Sequence, residues 1–188
     1  MRIISGKAKG KKILMPLDKK TRPLKDMVKE SIFNILRHSS IFKKDVKDSY
    51  ILDLFSGIGS FGLEAISRGA KKVIFYEDYK PAADLLKKNV KNLNFESMAE
   101  IRNINIYNNN SLKNLNFKFN IVFIDPPFND KNLVNLIIKV SKSGAINSNS
   151  LIIIHRHKKT VDKYNVKFKI LREEIYGSSK IVFGQFSA

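Results

Sequence analysis

The chain has 188 residues, 43% of them hydrophobic and none of them cysteine, and its 35 Lys and Arg outweigh 17 Asp and Glu for a formal net charge of +18. That length and apolar content exclude a disordered chain and give one domain, or one with a small appendage. The absence of cysteine excludes disulfides, thiolate metal sites and a Cys nucleophile, and it fits a reducing compartment.

The longest apolar runs, Ile121 to Ile124 and Leu151 to Ile154, have the length of strands and are too short to cross a membrane. Lys interrupts the first apolar residues every few positions, so no signal-peptide core is visible and a cytoplasmic protein is expected. Only seven of the basic residues are Arg, leaving 28 Lys, and Asn and Ile are also abundant. Part of the charge is therefore a coding bias spread over a solvated surface. Its distribution says more. Arg2, Lys7, Lys9, Lys11, Lys12, Lys19, Lys20, Arg22 and Lys25 are opposed by Asp18 alone. A block of one sign raises the local potential and points to a polyanion, with nucleic acid the expected partner.

In chain order, residues 1–20 hold short apolar pieces separated by Gly6 and Gly10, the pattern of a small basic hairpin or arm rather than a core element. Residues 21–188 read as the main domain. A helix is expected from Arg22-Pro23, with Leu24, Met27, Val28, Ser31, Ile32, Ile35 and Leu36 at helical spacing. Strand and helix signals then alternate. Strands are expected at Tyr50 to Phe55, Lys72 to Glu77, Ile104 to Tyr107, Ile121 to Ile124 and Leu151 to Ile154. Helices are expected after Gly62, from Pro81 to Val90, and from Leu133 to Val140. Two runs at the end, Val166 to Leu171 and Lys180 to Phe186, meet near Gly177 without a helix between them. Near-continuous apolar strands alternating with helices predict a doubly wound α/β domain. Its parallel sheet is covered on both faces and ends in an antiparallel hairpin.

Two constellations carry chemistry. Asp53-Leu54-Phe55-Ser56-Gly57-Ile58-Gly59-Ser60-Phe61-Gly62 runs off the first strand into a helix, where Gly57 and Gly59 allow a tight turn and close approach of a ligand to the backbone. Glu77 closes the second strand, 24 residues after Asp53, where an acid can accept hydrogen bonds from both ribose hydroxyls of an adenosine. Alone, this fits a dinucleotide as well. The second constellation, Asp125-Pro126-Pro127-Phe128, follows the strand at 121–124. Its two prolines stiffen the backbone into a ledge presenting a carboxylate, a carbonyl and an aromatic face. Such a ledge suits a planar base with an exocyclic amine: Asp125 and the Pro126 carbonyl accept its two N–H groups and Phe128 stacks on the ring.

The loop and the ledge together resemble the S-adenosylmethionine-dependent amino-methyltransferases. Met1-Arg2-Ile3-Ile4-Ser5-Gly6, Thr21-Arg22-Pro23, Val28 to Leu36 and Tyr176-Gly177 narrow the resemblance to the RsmD family, bacterial enzymes that methylate a guanine N2 of small-subunit ribosomal RNA. The resemblance implies a Rossmann-like class I methyltransferase with a mostly parallel seven-stranded sheet and S-adenosylmethionine as cofactor, without a metal. It implies Asp125, Pro126, Pro127 and Phe128 as the catalytic ledge and Asp53, Phe55, Gly57, Gly59 and Glu77 around the cofactor. Asn110, in Asn108-Asn109-Asn110, stands where related enzymes often carry an Asp for the adenine amine. Arg2, Lys7, Lys9, Lys11, Lys12, Arg22 and Lys25 are the candidates for RNA contact, with an assembled or partly assembled ribonucleoprotein as partner and a monomeric enzyme. Against this stand an adenine-N6 methyltransferase, since the ledge does not distinguish the two amines, and a non-catalytic RNA-binding or ribosome-assembly protein. His155 and His157 share one face of a strand end, but without Cys or a nearby acid a surface or RNA-contacting role is expected, not a metal site.

Overall fold

The structure, a computed structural model, describes residues 1–16, 24–40, 45–164 and 167–186. Strands β1 (Tyr50–Leu54), β2 (Lys72–Tyr76), β3 (Ala99–Arg102), β4 (Ile121–Ile124) and β5 (Leu151–His157) pair in parallel. Strands β6 (Phe168–Tyr176) and β7 (Ser179–Phe186) form a closing hairpin, and β7 joins β5 antiparallel. The sheet order is β3-β2-β1-β4-β5-β7-β6. The helices are α1 (Asp26–His38), α2 (Ser60–Ser67), α3 (Lys80–Leu93) and α4 (Leu133–Lys142).

The central strands are apolar on both sides because both faces of the sheet are covered. Ile51, Phe75, Phe123 and Ile153 point to α1, α2, α3 and the N-terminal hairpin. Leu52, Ile74, Val122 and Ile152 point to α4 and the helix-free crossing of residues 103–120, which contributes Ile106, Leu112 and Phe119. The chain order reverses between β1 and β4, which opens a crevice at their carboxyl ends.

Most elements fall where the patterning placed them. The expected strand at Ile104 to Tyr107 does not form. Those residues make a turn in which Ile106 is buried, while β3 lies earlier in the chain. As an edge strand of half-buried Ala-Glu-Ile-Arg, β3 lacks an apolar signature. Asn103 and Asn105 meanwhile bind the Glu77 carbonyl (2.7 Å) and the Asp78 carboxylate (2.8 Å), which folds the next residues away from the sheet. At the end of the chain, β6 continues beyond Leu171 to Tyr176; Val166 lies outside the described residues. Thr21, Arg22 and Pro23 also lie outside them, and α1 begins at Asp26. Its buried face is Val28, Lys29, Ile32, Phe33 and Leu36, whereas Met27 is 59% exposed. The stripe is rotated because Phe33 stacks on Phe61, with ring centroids 5.1 Å apart, and Lys29 turns inward toward a buried acid.

That acid, Glu64 of α2, is the hub of the N-terminal region. Residues 2 and 12 bridge as a hairpin, and Ile3, Ala8 and Ile13 are buried in the main core cluster, so the hairpin is not peripheral. The Glu64 carboxylate accepts the backbone N–H groups of Ile4 (2.7 Å) and Ser5 (3.0 Å) and the Arg68 Nε–H (2.7 Å). Lys29 Nζ lies 3.8 Å away and donates to the Arg2 carbonyl. Removing one member of a buried ion pair costs about 3 kcal/mol, because the other is left desolvated and unpaired. Glu64→Gln is therefore expected to lower unfolding stability by about that amount. Urea titration measures the loss, and faster hydrogen exchange at Ile4 and Ser5 would locate it in the hairpin.

Candidate active site at the carboxyl edge of the sheet

A cleft of about 760 Å³ opens at the carboxyl ends of β1 and β4. Asp53, Phe55, Gly57, Glu77, Lys25 and the whole ledge from Asp125 to Phe128 line it. Its floor is aromatic: Phe61 stacks on Phe123 at 4.1 Å between centroids.

The loop after β1 turns by left-handed backbone at Phe55 (φ 60°), Gly57 (54°) and Gly59 (84°). A side chain at Gly59 would also collide with Leu86, whose Cδ1 lies 2.3 Å from the ideal Cβ position. Asp53, 1% exposed, anchors the following helix by accepting the Gly62 N–H at Oδ2 (3.0 Å). Its Oδ1 is buried and finds no hydrogen-bond partner among the described residues. Burial raises the Asp53 pKa well above its ordinary value. The Gly62 hydrogen bond opposes that shift, and the charges of Asp125 and Glu77 add to it. The Glu77 carboxylate accepts the N–H groups of Gly57 (2.7 Å) and Tyr79 (2.8 Å). Its pKa is also raised by burial, against those backbone donors.

The ledge is fixed from several sides. The Asp125 N–H donates to the Leu54 carbonyl (3.1 Å), tying ledge to loop. Behind it, the end of β5 supplies two buried side chains, and the surface or RNA-contacting role expected of His155 is corrected. His155 is 7% exposed, with Nδ1 2.8 Å from Asp125 Oδ1 and Nε2 2.9 Å from Ser179 Oγ. Arg156 is 2% exposed, pairs with Asp162 and donates to the carbonyls of Pro127 (3.2 Å) and Asp130 (2.8 Å). Phe128, 36% exposed, meets the rings of His155 and His157 edge to face at 5.5 and 5.4 Å. The signal was present in the sequence: His155 follows its apolar run as Asp125 follows its own.

Other expected site residues lie elsewhere. Asn110 is exposed and does not line the cleft. The buried Ser111 beside it is pinned by its hydroxyl to the Ile106 carbonyl (2.6 Å) and by its carbonyl to the Tyr76 hydroxyl (2.6 Å), which leaves Asn110 facing solvent. Arg2, Lys7, Lys9, Lys11 and Lys12 are all exposed, and Arg22 lies outside the described residues. The hairpin tip is remote from the ledge. Lys7 N–H donates to the carbonyl of Ser67, the last residue of α2, and its ammonium lies 5.0 Å from the Phe95 ring just beyond α3. Both helices run back from the cleft, so these contacts belong to the opposite edge of the sheet.

Comparison with known proteins places the chain. Residues 1–185 match the family described as Conserved hypothetical protein 95. The ribosomal RNA small subunit methyltransferase D of Buchnera aphidicola is 36% identical over 161 residues, 84% of this chain and 78% of that protein. The chain belongs to the RsmD family. A solved Haemophilus influenzae structure described as a methylase is 34% identical, with a TM-score of 0.74 over 98% of this chain and 97% of that one. An Escherichia coli structure described as a methyltransferase has a TM-score of 0.80 at 28% identity, covering 99% of this chain and 97% of its own. The RsmD-family sheet, with its antiparallel closing hairpin, is thus the class I methyltransferase arrangement.

The clamp on the RsmD-family ledge has a measurable consequence. Lysine preserves the charge of Arg156 but cannot reproduce its fork to Asp162 and two carbonyls. Arg156→Lys is expected to cost about 2 kcal/mol of unfolding stability, the scale of a lost hydrogen bond to a charged group. In the same urea titration, Arg172→Lys on the solvated edge strand is expected to change stability by less than about 0.5 kcal/mol.

Proposed function

We propose that this protein transfers a methyl group from S-adenosylmethionine to the exocyclic N2 of a guanine in small-subunit ribosomal RNA. In this reading it works as a cytoplasmic monomer on an assembled or partly assembled ribonucleoprotein. One observation carries the reading: the Asp125-to-Phe128 ledge and the Asp53-to-Gly62 loop face one cleft, in a chain of the RsmD family.

The donor set fits the cofactor. Asp53 presents a buried oxygen without a partner among the described residues, and left-handed Gly57 brings bare backbone to the cleft wall. An ionised carboxylate has about four acceptor sites, so Glu77 keeps capacity for ribose hydroxyls beside its bonds to Gly57 and Tyr79. When bound, S-adenosylmethionine supplies a methyl group on a sulfonium, and the chemistry calls for no metal ion.

The chain's own residues prepare the acceptor. Asp125 and the Pro126 carbonyl accept hydrogen bonds from the two N–H groups of the amine, which favours a pyramidal nitrogen with an available lone pair, and the acidic methylated nitrogen then loses one proton to water. Phe128, held edge-on by two histidines, offers a stacking face to a base that has left its helix. Alignment of the reacting atoms supplies most of the rate gain. Lys25 stands at the cleft, whereas the basic hairpin tip lies at the far edge of the sheet. Phosphates met by Lys7 and Lys9 would then belong to an RNA segment remote from the target base, which favours a large folded substrate.

Incubation with radiolabelled S-adenosylmethionine and undermethylated small-subunit particles, followed by nucleoside analysis, tests the reading. Label is expected in N2-methylguanosine, and label in N6-methyladenosine would overturn it. Asp125→Ala is expected to slow transfer at least about a hundredfold while leaving calorimetric affinity for S-adenosylhomocysteine nearly unchanged. That affinity should also depend on pH through Glu77. Ionised Glu77 serves more hydroxyl donors than the protonated acid, and burial raises its pKa. Affinity is therefore expected to fall as the pH drops through a point above the ordinary glutamate range, and Glu77→Gln should flatten that limb of the profile.

A further inference from the structure

We infer that His155 is the positioning residue for Asp125, acting through a Ser179–His155–Asp125 hydrogen-bond chain; this rests on the reading of the cleft proposed above. The three side chains come from three strand ends, β7, β5 and just beyond β4. Both ring nitrogens of His155 are engaged, at 2.8 Å by Asp125 Oδ1 and at 2.9 Å by Ser179 Oγ.

The chemistry of the partners sets the tautomer. A carboxylate only accepts, so the proton between His155 and Asp125 resides on Nδ1. Nε2 meets the Ser179 hydroxyl, which can donate to a bare ring nitrogen or accept from an N–H. Asp125 thus sets the tautomer, Ser179 holds the far side of the ring, and His155 fixes one oxygen of Asp125. The other carboxylate oxygen is left for the amine of the base. An unrestrained aspartate side chain samples several rotamers, and the bond to His155 selects one. The ring is itself immobilised, because it is buried and meets the edge of Phe128. One imidazole therefore sets the orientation of both the acceptor and the stacking face.

Two isosteres separate this role from simple packing. The amide nitrogen of asparagine is as many bonds from Cβ as Nδ1, so His155→Asn keeps the donor to Asp125 and loses the bond to Ser179. The amide nitrogen of glutamine matches Nε2, so His155→Gln keeps the Ser179 contact and loses the donor to Asp125. Single-turnover methylation of undermethylated small-subunit particles is the readout, with affinity for S-adenosylhomocysteine measured by calorimetry. H155N, which keeps the donor to Asp125 but loses the ring edge at Phe128 and the bond to Ser179, is expected to be about tenfold faster than H155Q. H155Q and H155A are expected to fall about a hundredfold, the scale of a small misplacement of a reacting group, with cofactor affinity unchanged. H155Q at the wild-type rate would overturn the inference, as would equal slowing of all three variants, because loss of ring packing affects H155N and H155Q alike. A wild-type protein that labels no guanine would overturn the functional reading itself; a wild-type protein that does, beside a fast H155Q, overturns the role of His155 alone.

Discussion

Leu54, Ile124 and Ile154 stand level across three neighbouring parallel strands, and the site depends on that register. Side chains alternate along a strand, so Asp53, which is level with Phe123 and Ile153, shares a face with Asp125 and His155 two residues further on. A slip of one residue in β4 or β5 would carry Asp125 or His155 to the face of α4 and out of the cleft. The apolar pairs that hold the register, Leu52 with Val122 and Val122 with Ile152, are therefore as much a part of the candidate site as its polar residues. Their burial on both faces resists such a slip.

The same alternation lets one strand end grip the ledge twice. His155 points to the cleft face and meets the Asp125 carboxylate. Arg156 points to the other face and meets the backbone of Pro127 and Asp130, with Asp162 balancing its charge. A guanidinium so desolvated needs several acceptors to persist, and a Pro-Pro turn has few N–H groups of its own with which to hold its shape. Each feature meets the need of the other. Glu64 solves the equivalent problem for the N-terminal hairpin, whose Ile4 and Ser5 N–H groups bind the buried carboxylate that Lys29 and Arg68 accompany.

What could be read from the sequence follows from where each signal originates. The strands β1, β2, β4 and β5 and the amphipathic helices were legible because burial on a regular period leaves a local pattern. The loop and the ledge were legible because their chemistry is contiguous in the chain. The edge strand β3 was not, since one neighbour and half-buried side chains leave Ala-Glu-Ile-Arg polar. Ile104 to Tyr107 mimicked a strand by alternation alone, and asparagine side chains decided against it. His155 read as a surface residue, because a polar ring is assigned to solvent unless its partner is known, and Asp125 lies 30 residues away in the chain. Lys29 and Arg156 carried no signal of burial, since their partners Glu64 and Asp162 lie 35 and 6 residues away.

The site departs from local preference where its chemistry is concentrated. Phe55 adopts left-handed backbone, of order 1 kcal/mol or more against a non-glycine residue. Asp53 keeps a buried oxygen without a partner among the described residues, worth roughly 1–3 kcal/mol. Both lie in a loop tied at each end, by the Ser56 N–H to the Tyr76 carbonyl and by the Gly62 N–H to Asp53. Beneath them Phe33, Phe61 and Phe123 form a continuous stack, and the Arg68 guanidinium caps its outer ring at 4.6 Å. The aromatic burial that closes the core under the cleft thus offsets the strain above it. A loop that is rigid before any ligand arrives leaves less ordering entropy to be lost on binding.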